Sequence, residues 1–459
     1  MMLCRKLIYI TPFLMFFNAS QSFANQASDV TYIVLDKPKQ IFQGFGASQT
    51  RTGVLKINQN YGSTLVKKMS KEVYEKLGMN WARLWVHSRE NVSSELMKYR
   101  FYKHYINSGL YNTLKDSGVQ KFLLAPARGE EVPRESMFEY ANKLARFIAD
   151  IYKERGIRID VTGIANEPQG FQHQQIVLAA KYLRQELDRL GMSHVGIIGP
   201  EWASADRHAA DVLEALQSEP ESWDALRGIS THSYNMGANR LIENFALDSN
   251  KEYWMTEAGR ALPSVIDESP GDTDAASTVA ARFLNDMNYS VTHWFWFLGF
   301  GHIDKHPNKD SGQVLVKPDD RTGGIKFNTK YFYLKQLRQT FDLGARFYAI
   351  VPPKGLRNVW SYGQKPAITL SAAKNPDNSW GIGIVNTTGI PFSNQLMQFY
   401  EAKTYSVDIL LPADVGNKTF RVYRSRPDGI REDKEILELK NGVLSIDISP
   451  HELVTLRSL

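Results

Sequence analysis

The chain has 459 residues, of which 43% are hydrophobic and 23% are charged, as is ordinary for a globular protein. This length accommodates one barrel-sized domain with a smaller appended unit. The formal net charge is +6, but Lys and Arg are dispersed without long runs, so we expect a solvated basic surface and no nucleic-acid partner. The single cysteine, Cys4, excludes an internal disulfide and a cysteine-ligated metal site.

The N-terminal segment predicts an export signal. Arg5 and Lys6 precede an apolar run, Leu7–Phe17, and small residues follow at Ser22 and Ala24. The run is too short to cross a bilayer, and no later stretch is long and apolar enough to do so. We therefore expect a signal peptide over residues 1–24 and a mature protein that is soluble, monomeric, secreted or periplasmic, and without a membrane partner.

Short apolar runs then alternate with amphipathic stretches, as in successive βα units. The predicted strands are Ile41–Phe45, Trp81–Val86, Lys121–Ala125, Val161–Ala165, Val195–Gly199, Gly228–Thr231, Glu252–Thr256 and Val291–Phe297. Eight such units favour an α/β fold, a (β/α)8 TIM barrel over residues 41–344, instead of an open doubly wound sheet. No GxGxxG motif follows the first strand, so no dinucleotide cofactor is expected.

The pattern changes after Ala345. Six short strand-like runs separated by Gly, Pro and Asn predict an appended all-β sandwich domain over residues 345–459. Residues 25–40 contain another strand candidate, Val30–Asp36, which precedes the barrel. We expect this strand to pair into the sandwich and to bring the two ends of the chain together.

Two glutamates lie where the chemistry of such barrels is found, at the C-terminal ends of the strands. Glu167 follows the fourth strand, and Glu257 ends the seventh. Retaining glycoside hydrolysis requires two carboxyl groups about 5–5.5 Å apart, one nucleophile and one acid/base. The pair therefore predicts a catalytic site. Glu201, Glu130 and Glu131 are the rivals, for which we expect binding or loop-forming roles.

The motifs around these residues resemble a known group. Asn166-Glu167-Pro168 after strand four and a glutamate closing strand seven are typical of the clan A retaining glycosidases. The segment Gln43-Gly44-Phe45-Gly46-Ala47-Ser48 resembles the opening motif of glycoside hydrolase family 30. The resemblance covers nearly all of the mature chain, and it implies a barrel with a β-sandwich that includes the first strand.

The resemblance also implies roles. Glu167 would be the acid/base and Glu257 the nucleophile. Asn166 would bond the sugar 2-hydroxyl, a contact that strengthens in the transition state. Arg83 would keep Glu257 ionised by charge pairing, and Tyr234 would hydrogen-bond Glu257 and fix its rotamer.

Four further aromatic or imidazole side chains are candidates for binding the substrate. Trp294 or Trp296 would form the floor on which the apolar face of the sugar stacks, while the other belongs to the core. Trp202 and His232 also follow strand ends, although a histidine in this position more often has a structural role.

One segment departs from the family pattern. The family has a Ser-Pro-Trp-Ser-Pro-like segment after strand three, where this chain has Ala125-Pro126-Ala127-Arg128. Arg128 and Arg260 both follow predicted strand ends, and guanidinium groups suit carboxylates and sulfates. The other arginines in comparable positions are Arg51, Arg89 and Arg207. Taken singly, an arginine in such a position is more often a surface residue, but several around one rim favour an acidic substrate.

The sequence therefore predicts a retaining hydrolase of β-linked glycans whose substrate is a uronate-bearing or sulfated polysaccharide, with glucuronoxylan as the family precedent. A neutral β-glycan, a glycolipid and a non-catalytic carbohydrate-binding barrel stay open. No metal is expected, because the hydrolysis needs none and the spacing of the candidate ligands after strand eight matches no closed site. Those candidates are His302, Asp304, His306 and Asp310.

Overall fold

The computed structural model describes most of the chain. It covers residues 28–49, 58–88, 92–127, 135–259, 272–301, 313–356, 358–361, 365–390, 400–416, 418–426, 429–431 and 435–459. The barrel strands are β2 (Gly44–Ser48), β3 (Trp81–Val86), β4 (Lys121–Pro126), β5 (Val161–Gly163), β6 (Gly196–Trp202), β7 (Leu226–His232), β8 (Glu252–Ala258) and β9 (His293–Trp296). The helices are α1 (Ser63–Ser70), α2 (Ser94–Phe101), α3 (Leu110–Asp116), α4 (Met137–Arg155), α5 (His173–Arg189), α6 (Arg207–Gln217), α7 (Pro220–Ala225), α8 (Arg240–Asp248), α9 (Asp272–Asn288) and α10 (Thr329–Thr340). π-Helical turns at Lys71–Lys76 and Tyr102–Ile106 extend α1 and α2.

Strands β2 to β9 form a closed parallel barrel, in which each strand pairs with the next and β2 pairs with β9. The barrel interior is filled by large apolar side chains. They are Trp81, Leu123, Val161, Ile198, Trp254 and Phe295. Gly46 of β2 faces this core, and a Cβ at that position would lie 2.6 Å from the Phe295 ring. The glycine-rich opening motif therefore allows β2 to pack closely against β9.

Helix α4 illustrates how the outer layer follows from the sequence. Ser136 and Glu139 form a capping box that begins the helix, and Gly156, with φ of 64°, ends it in the left-handed conformation. Between them, Leu144 and Ile148 bury one apolar stripe against the barrel. No helix of the described segments has the length and hydropathy needed to cross a membrane.

The remaining strands form an appended β domain. They are β1 (Ser28–Ile41), β12 (Arg346–Val351), β13 (Ile368–Lys374), β14 (Trp380–Asn386), β15 (Tyr405–Leu410), β16 (Thr419–Arg426), β17 (Gly429–Arg431), β18 (Ile436–Glu438), β19 (Val443–Ile448) and β20 (Leu453–Ser458). The strand order is β17-β16-β20-β14-β13-β12-β1-β15-β19, with β18 beside β16, and one apolar core lies between these strands. Strands β10 (Val316–Pro318) and β11 (Ile325–Phe327) form a separate hairpin. The predicted α/β barrel with an appended all-β domain is confirmed.

The first strand joins the two ends of the chain. Strand β1 pairs antiparallel with β12 and parallel with β15, and it leads directly into β2 of the barrel. At the junction, Lys39 Nζ lies 2.5 Å from Glu243 Oε1 of α8. Asn288 Nδ2 of α9 donates to Leu370 O of β13 at 2.8 Å. These partly buried polar contacts tie the barrel to the β domain.

Candidate active site

Four barrel strands carry a cluster of charged side chains at or just beyond their C-terminal ends. Arg83 lies in β3, Glu167 follows β5, His232 ends β7, and Glu257 lies near the end of β8. Because all eight strands are parallel, these positions meet at one rim of the barrel. The structure thus brings together residues that are distant in the sequence.

Glu257 is almost fully buried between two hydrogen-bond donors. Arg83 Nη1 forms an ion pair with Glu257 Oε1. Tyr234 Oη donates to Glu257 Oε2 at 2.6 Å. Burial and the charge of Glu257 raise the pKa of Tyr234 well above its usual value, so its phenol stays neutral and remains a donor. These contacts fix the orientation of the Glu257 carboxylate.

Glu167 faces Glu257 across the same rim and is more accessible, with about 30% of its side chain exposed. One oxygen of each carboxylate and one ring nitrogen of His232 lie within 4.8 Å of one another. His232 Nδ1 is 2.9 Å from Glu167 Oε1 and 3.7 Å from Glu257 Oε2. Glu167 has a φ of 46°, a left-handed conformation that costs energy at a residue other than glycine.

His232 and Glu167 shift the pKa of each other. Burial disfavours charge on His232, but the charges of Glu257 and Glu167 and the bond to Glu167 outweigh it and raise its pKa. Burial likewise opposes ionisation of Glu167, but the bond from His232 and the charges of His232 and Arg83 lower its pKa. The proton of this pair therefore lies on His232 Nδ1, which donates to Glu167.

His232 was predicted as a residue that contacts the substrate, and the structure corrects this role. Its side chain is fully buried, and its ring lies against the two carboxylates. The buried imidazole contacts Glu167 and Glu257, and it has no surface that is accessible to a sugar.

Arg83 also holds Asn166 and a third glutamate. Its Nη2 donates to Asn166 Oδ1 at 2.7 Å and to Glu201 Oε1 at 3.1 Å. Asn166 is thereby fixed beside Glu167, with its amide NH2 group available as a donor. Glu201 has the same partner as Glu257, a role that sequence reasoning missed because it assigned this residue to binding or loop structure.

The prediction that Trp294 or Trp296 forms a sugar floor is wrong. The two side chains are only 0% and 1% exposed, respectively. Trp294 Nε1 donates to Asp286 Oδ2 of α9 at 2.9 Å, and Trp296 Nε1 donates to Gln313 O at 2.5 Å. Both rings face the surrounding helices, because His293 and Phe295 occupy the face of β9 that points to the barrel interior.

Other aromatic side chains lie at the rim instead. Phe297 and Trp85 are half-buried, with ring centroids 6.2 Å apart, and Phe297 also lies 6.4 Å from the Tyr234 ring. Phe297 is two residues beyond Phe295, and Trp85 is two beyond Arg83, so each continues the inward-facing series of its strand. That alternation is the sequence signal that could have identified them.

The structure places only some of the other residues that were predicted to bind the substrate. Trp202 is half-buried at the end of β6. Arg207 begins α6, where it forms ion pairs with Asp211 at 2.7 Å and Glu214 at 3.0 Å, so it belongs to a helix surface. The other four arginines lie outside the described residues, as do the candidate ligands after strand eight. These arginines are Arg51, Arg89, Arg128 and Arg260.

The cluster also contains residue types that can bind a metal ion. Glu167, His232 and Glu257 offer three ligand atoms. However, Arg83 already pairs with Glu257, and the raised pKa of His232 favours the protonated ring, which cannot ligate a metal. The electrostatics of this group therefore suit proton transfer and nucleophilic attack better than binding of a cation.

No family model and no curated protein matches the sequence. Solved structures nevertheless share its fold. The catalytic domain of GH30 xylanase C from Talaromyces cellulolyticus matches with a TM-score of 0.65 and 14% identity, over 94% of this chain and 100% of that one. The family 30 subfamily 8 xylanase Xyn30A from Clostridium acetobutylicum matches with a TM-score of 0.66 and 15% identity, over 94% of this chain and 99% of that one. An endo-β1,6-glucanase matches with a TM-score of 0.63 and 15% identity, over 93% of both chains.

These matches agree with the observed architecture. The chain is a (β/α)8 barrel whose appended β domain includes the first strand of the chain. Within that class, its fold is like that of glycoside hydrolase family 30.

Proposed function

We propose that the protein is a retaining glycoside hydrolase that cleaves β-linked glycans by double displacement. The observation that carries this proposal is the pair Glu167 and Glu257, of which one carboxylate oxygen each lies within 4.8 Å of the other at the C-terminal rim. A retaining pair is about 5–5.5 Å apart, whereas an inverting pair needs roughly 6.5–9.5 Å to admit a water molecule. The family 30 enzymes of similar fold lend further support.

In the first step, an oxygen of Glu257 attacks the anomeric carbon while the bond from that carbon to the leaving oxygen breaks. Glu167 transfers a proton to the leaving oxygen, and Glu257 becomes a neutral glycosyl ester. The proton on His232 Nδ1 is hydrogen-bonded to Glu167 Oε1, so it is positioned to reprotonate Glu167 for this role. Asn166, held by Arg83, donates to a sugar hydroxyl.

In the second step, water attacks the same carbon from the opposite face. Glu167 accepts the proton of the water, the ester bond breaks, and Glu257 regains its negative charge. As the Glu257 carboxylate forms again, Tyr234 donates a hydrogen bond to it and Arg83 pairs with its charge. Two inversions at one carbon give net retention.

The configuration of the first-formed product tests this mechanism. We expect the protein to release oligosaccharides from at least one polysaccharide of a panel of xylans, β-glucans and β-galactans, with products sized by mass spectrometry. Proton NMR during the first minutes should show the β anomer before mutarotation. First appearance of the α anomer would contradict double displacement, and an inactive protein that still binds oligosaccharides would favour a carbohydrate-binding barrel.

We further propose that the substrate is acidic, bearing uronate or sulfate groups, and that the protein is exported to reach it. Arg128 follows Ala127, whose backbone N–H bonds Val86 O beside the end of β4. Arg260 follows Gly259, which packs against Tyr234 at the end of β8. Ala127 and Gly259, which precede the two arginines in the sequence, therefore both lie at the rim that holds the carboxylates. The signal-like segment over residues 1–24 supports export.

Replacing Arg128 by Ala should weaken turnover of the acidic glycan and spare its carboxyl-reduced or desulfated counterpart. A charge-assisted bidentate contact contributes about 1.5–3 kcal/mol, or roughly 10- to 150-fold in selectivity. The ratio of kcat/KM for the two substrates measures this effect, and added salt should lower the affinity of the native protein for the acidic one. Arg207→Ala, on a helix surface, is the control. Equal cleavage of both substrates by the native protein at low salt would contradict the acidic-substrate proposal.

A further inference from the structure

Arg83 is shared by two carboxylates, only one of which is a proposed catalytic group. Its Nη1 pairs with Glu257, and its Nη2 lies 3.1 Å from Glu201 Oε1. Arg83 and Glu201 are fully buried, and the Arg83 guanidinium stacks 4.5 Å from the Trp85 ring centroid. One buried cation thus faces two buried anions at the centre of the rim.

Several residues fix Glu201 in this place. The backbone N–H of Glu201 donates to Ser230 Oγ at 3.0 Å, and its carbonyl accepts from Glu167 N at 3.1 Å. Its side chain extends over Gly163, where an added Cβ would lie only 1.7 Å from Glu201 Oε2. Gly163 therefore provides the space that lets the Glu201 carboxylate reach Arg83.

A purely structural role does not account for a glutamate here. Glu201 has a φ of 54°, which is strained for a residue other than glycine. Among the described residues, its buried Oε2 has no hydrogen-bond partner. Strain and an unpartnered buried oxygen both oppose folding, and residues with such features cluster at functional sites.

The charge balance of the proposed reaction gives Glu201 a role. When Glu257 attacks the sugar, it becomes a neutral ester and no longer neutralises Arg83. A buried cation without a counter-ion is strongly destabilising. Glu201 touches no reacting atom and forms no bond to the sugar, so its ion pair with Arg83 is not consumed in either step.

We propose that Glu201 is a positioning residue and the permanent counter-ion of Arg83, which keeps the guanidinium neutralised while Glu257 is esterified. This inference rests on the proposed function and deepens it. If Arg83 paired with Glu257 alone, it would stabilise that carboxylate more strongly and make Glu257 a weaker nucleophile. Because Arg83 also pairs with Glu201, this stabilisation is reduced. The covalent intermediate and the attacking carboxylate therefore both depend on Glu201.

A double-mutant cycle tests the counter-ion role without any substrate. Apparent thermal unfolding midpoints are measured for the full chain and for Glu201→Gln, Glu257→Gln and the double variant. Each single variant leaves Arg83 one carboxylate, so we expect a small shift in the midpoint. The double variant leaves it none, so its midpoint should fall by more than the sum of the single shifts. Additive shifts, or a Glu201→Gln variant that fails to fold, would overturn the proposal.

A kinetic experiment then tests the step on which Glu201 acts. With an activated aryl β-glycoside of the sugar that the native protein cleaves, Glu201→Gln should lower kcat/KM by roughly 100-fold. Covalent labelling by the 2-deoxy-2-fluoro analogue, followed by intact mass, should slow by a similar factor, and Glu201→Asp should restore part of both rates.

The control is Glu243→Gln, which removes another buried, ion-paired glutamate far from the rim and should leave both rates unchanged. Unchanged labelling in Glu201→Gln would overturn the proposal. If the native protein cleaves no glycoside, the proposed function fails, but the unfolding cycle still decides whether Glu201 is the counter-ion of Arg83.

Discussion

Glu257→Gln is expected to lower turnover by roughly 10⁴-fold or more, because the variant lacks the nucleophile of the first step. The barrel should remain folded, since Arg83 keeps its contact with Glu201. Initial rates on the most active glycan of the panel measure the loss, and circular dichroism verifies the fold. Activity close to that of the native protein would show that Glu257 is not the nucleophile.

Glu167→Ala provides the complementary part of this prediction. The variant retains Glu257, so it can still form the ester from an activated aryl glycoside, and added azide should then attack the ester and give the β-azide. An α-azide from this variant would show that the acid/base and nucleophile assignments are reversed. Glu243→Gln, whose carboxylate lies at the junction of the two domains, is the control for general effects of removing a buried glutamate.

Deleting Ala345–Leu459 should make the protein insoluble, which is the second large expected effect. The deletion removes both pairing partners of β1 and uncovers the side of the barrel formed by α9 and α10. Leu284 of α9 packs closely against Gly383 of β14. A Cβ added at Gly383 would lie only 2.9 Å from the Leu284 side chain. Exposed apolar surface of this kind promotes aggregation.

The measurement is the soluble fraction after expression, compared with that of a chain lacking only Leu459, which is exposed. A soluble and fully active barrel without the β domain would contradict the prediction. It would also show that the contact of Asn288 with Leu370, which the deletion removes, is dispensable.

Much of the barrel could be predicted from the sequence because its strands are buried on both faces and are therefore continuous apolar runs. The strand Trp81–Val86 was predicted with the bounds that the structure has. The first barrel strand was placed at Ile41–Phe45 but lies at Gly44–Ser48. Phe42, just before it, is buried between the barrel and the β domain, where it packs against Phe283 and Phe347. Local periodicity cannot distinguish that surface from a strand of the barrel.

The sequence predicts which residues lie at the rim of the barrel, because that depends on their position along a strand. It does not predict the direction in which a side chain points. Glu167 and Glu257 were predicted as a pair because both lie at or just beyond the ends of parallel strands, and the structure brings their carboxylates together. Trp294 or Trp296 was expected to contact the sugar, because an all-apolar strand gives no sign of which alternate residues face inward. The contact of Glu201 with Arg83 depends on a missing side chain at Gly163, on a different strand, which no local pattern reveals.

The pairing of β1 has a consequence for the order in which the chain can fold during synthesis. The Tyr32 hydroxyl donates to Ile368 O, 336 residues further along the chain, and the parallel partner β15 follows later still. A ribosome adds roughly 5–20 residues per second, so the edges of this early strand wait many seconds for their partners. Until then they are open to pairing with other chains, and β1 is the segment where binding by a chaperone would protect the newly made protein.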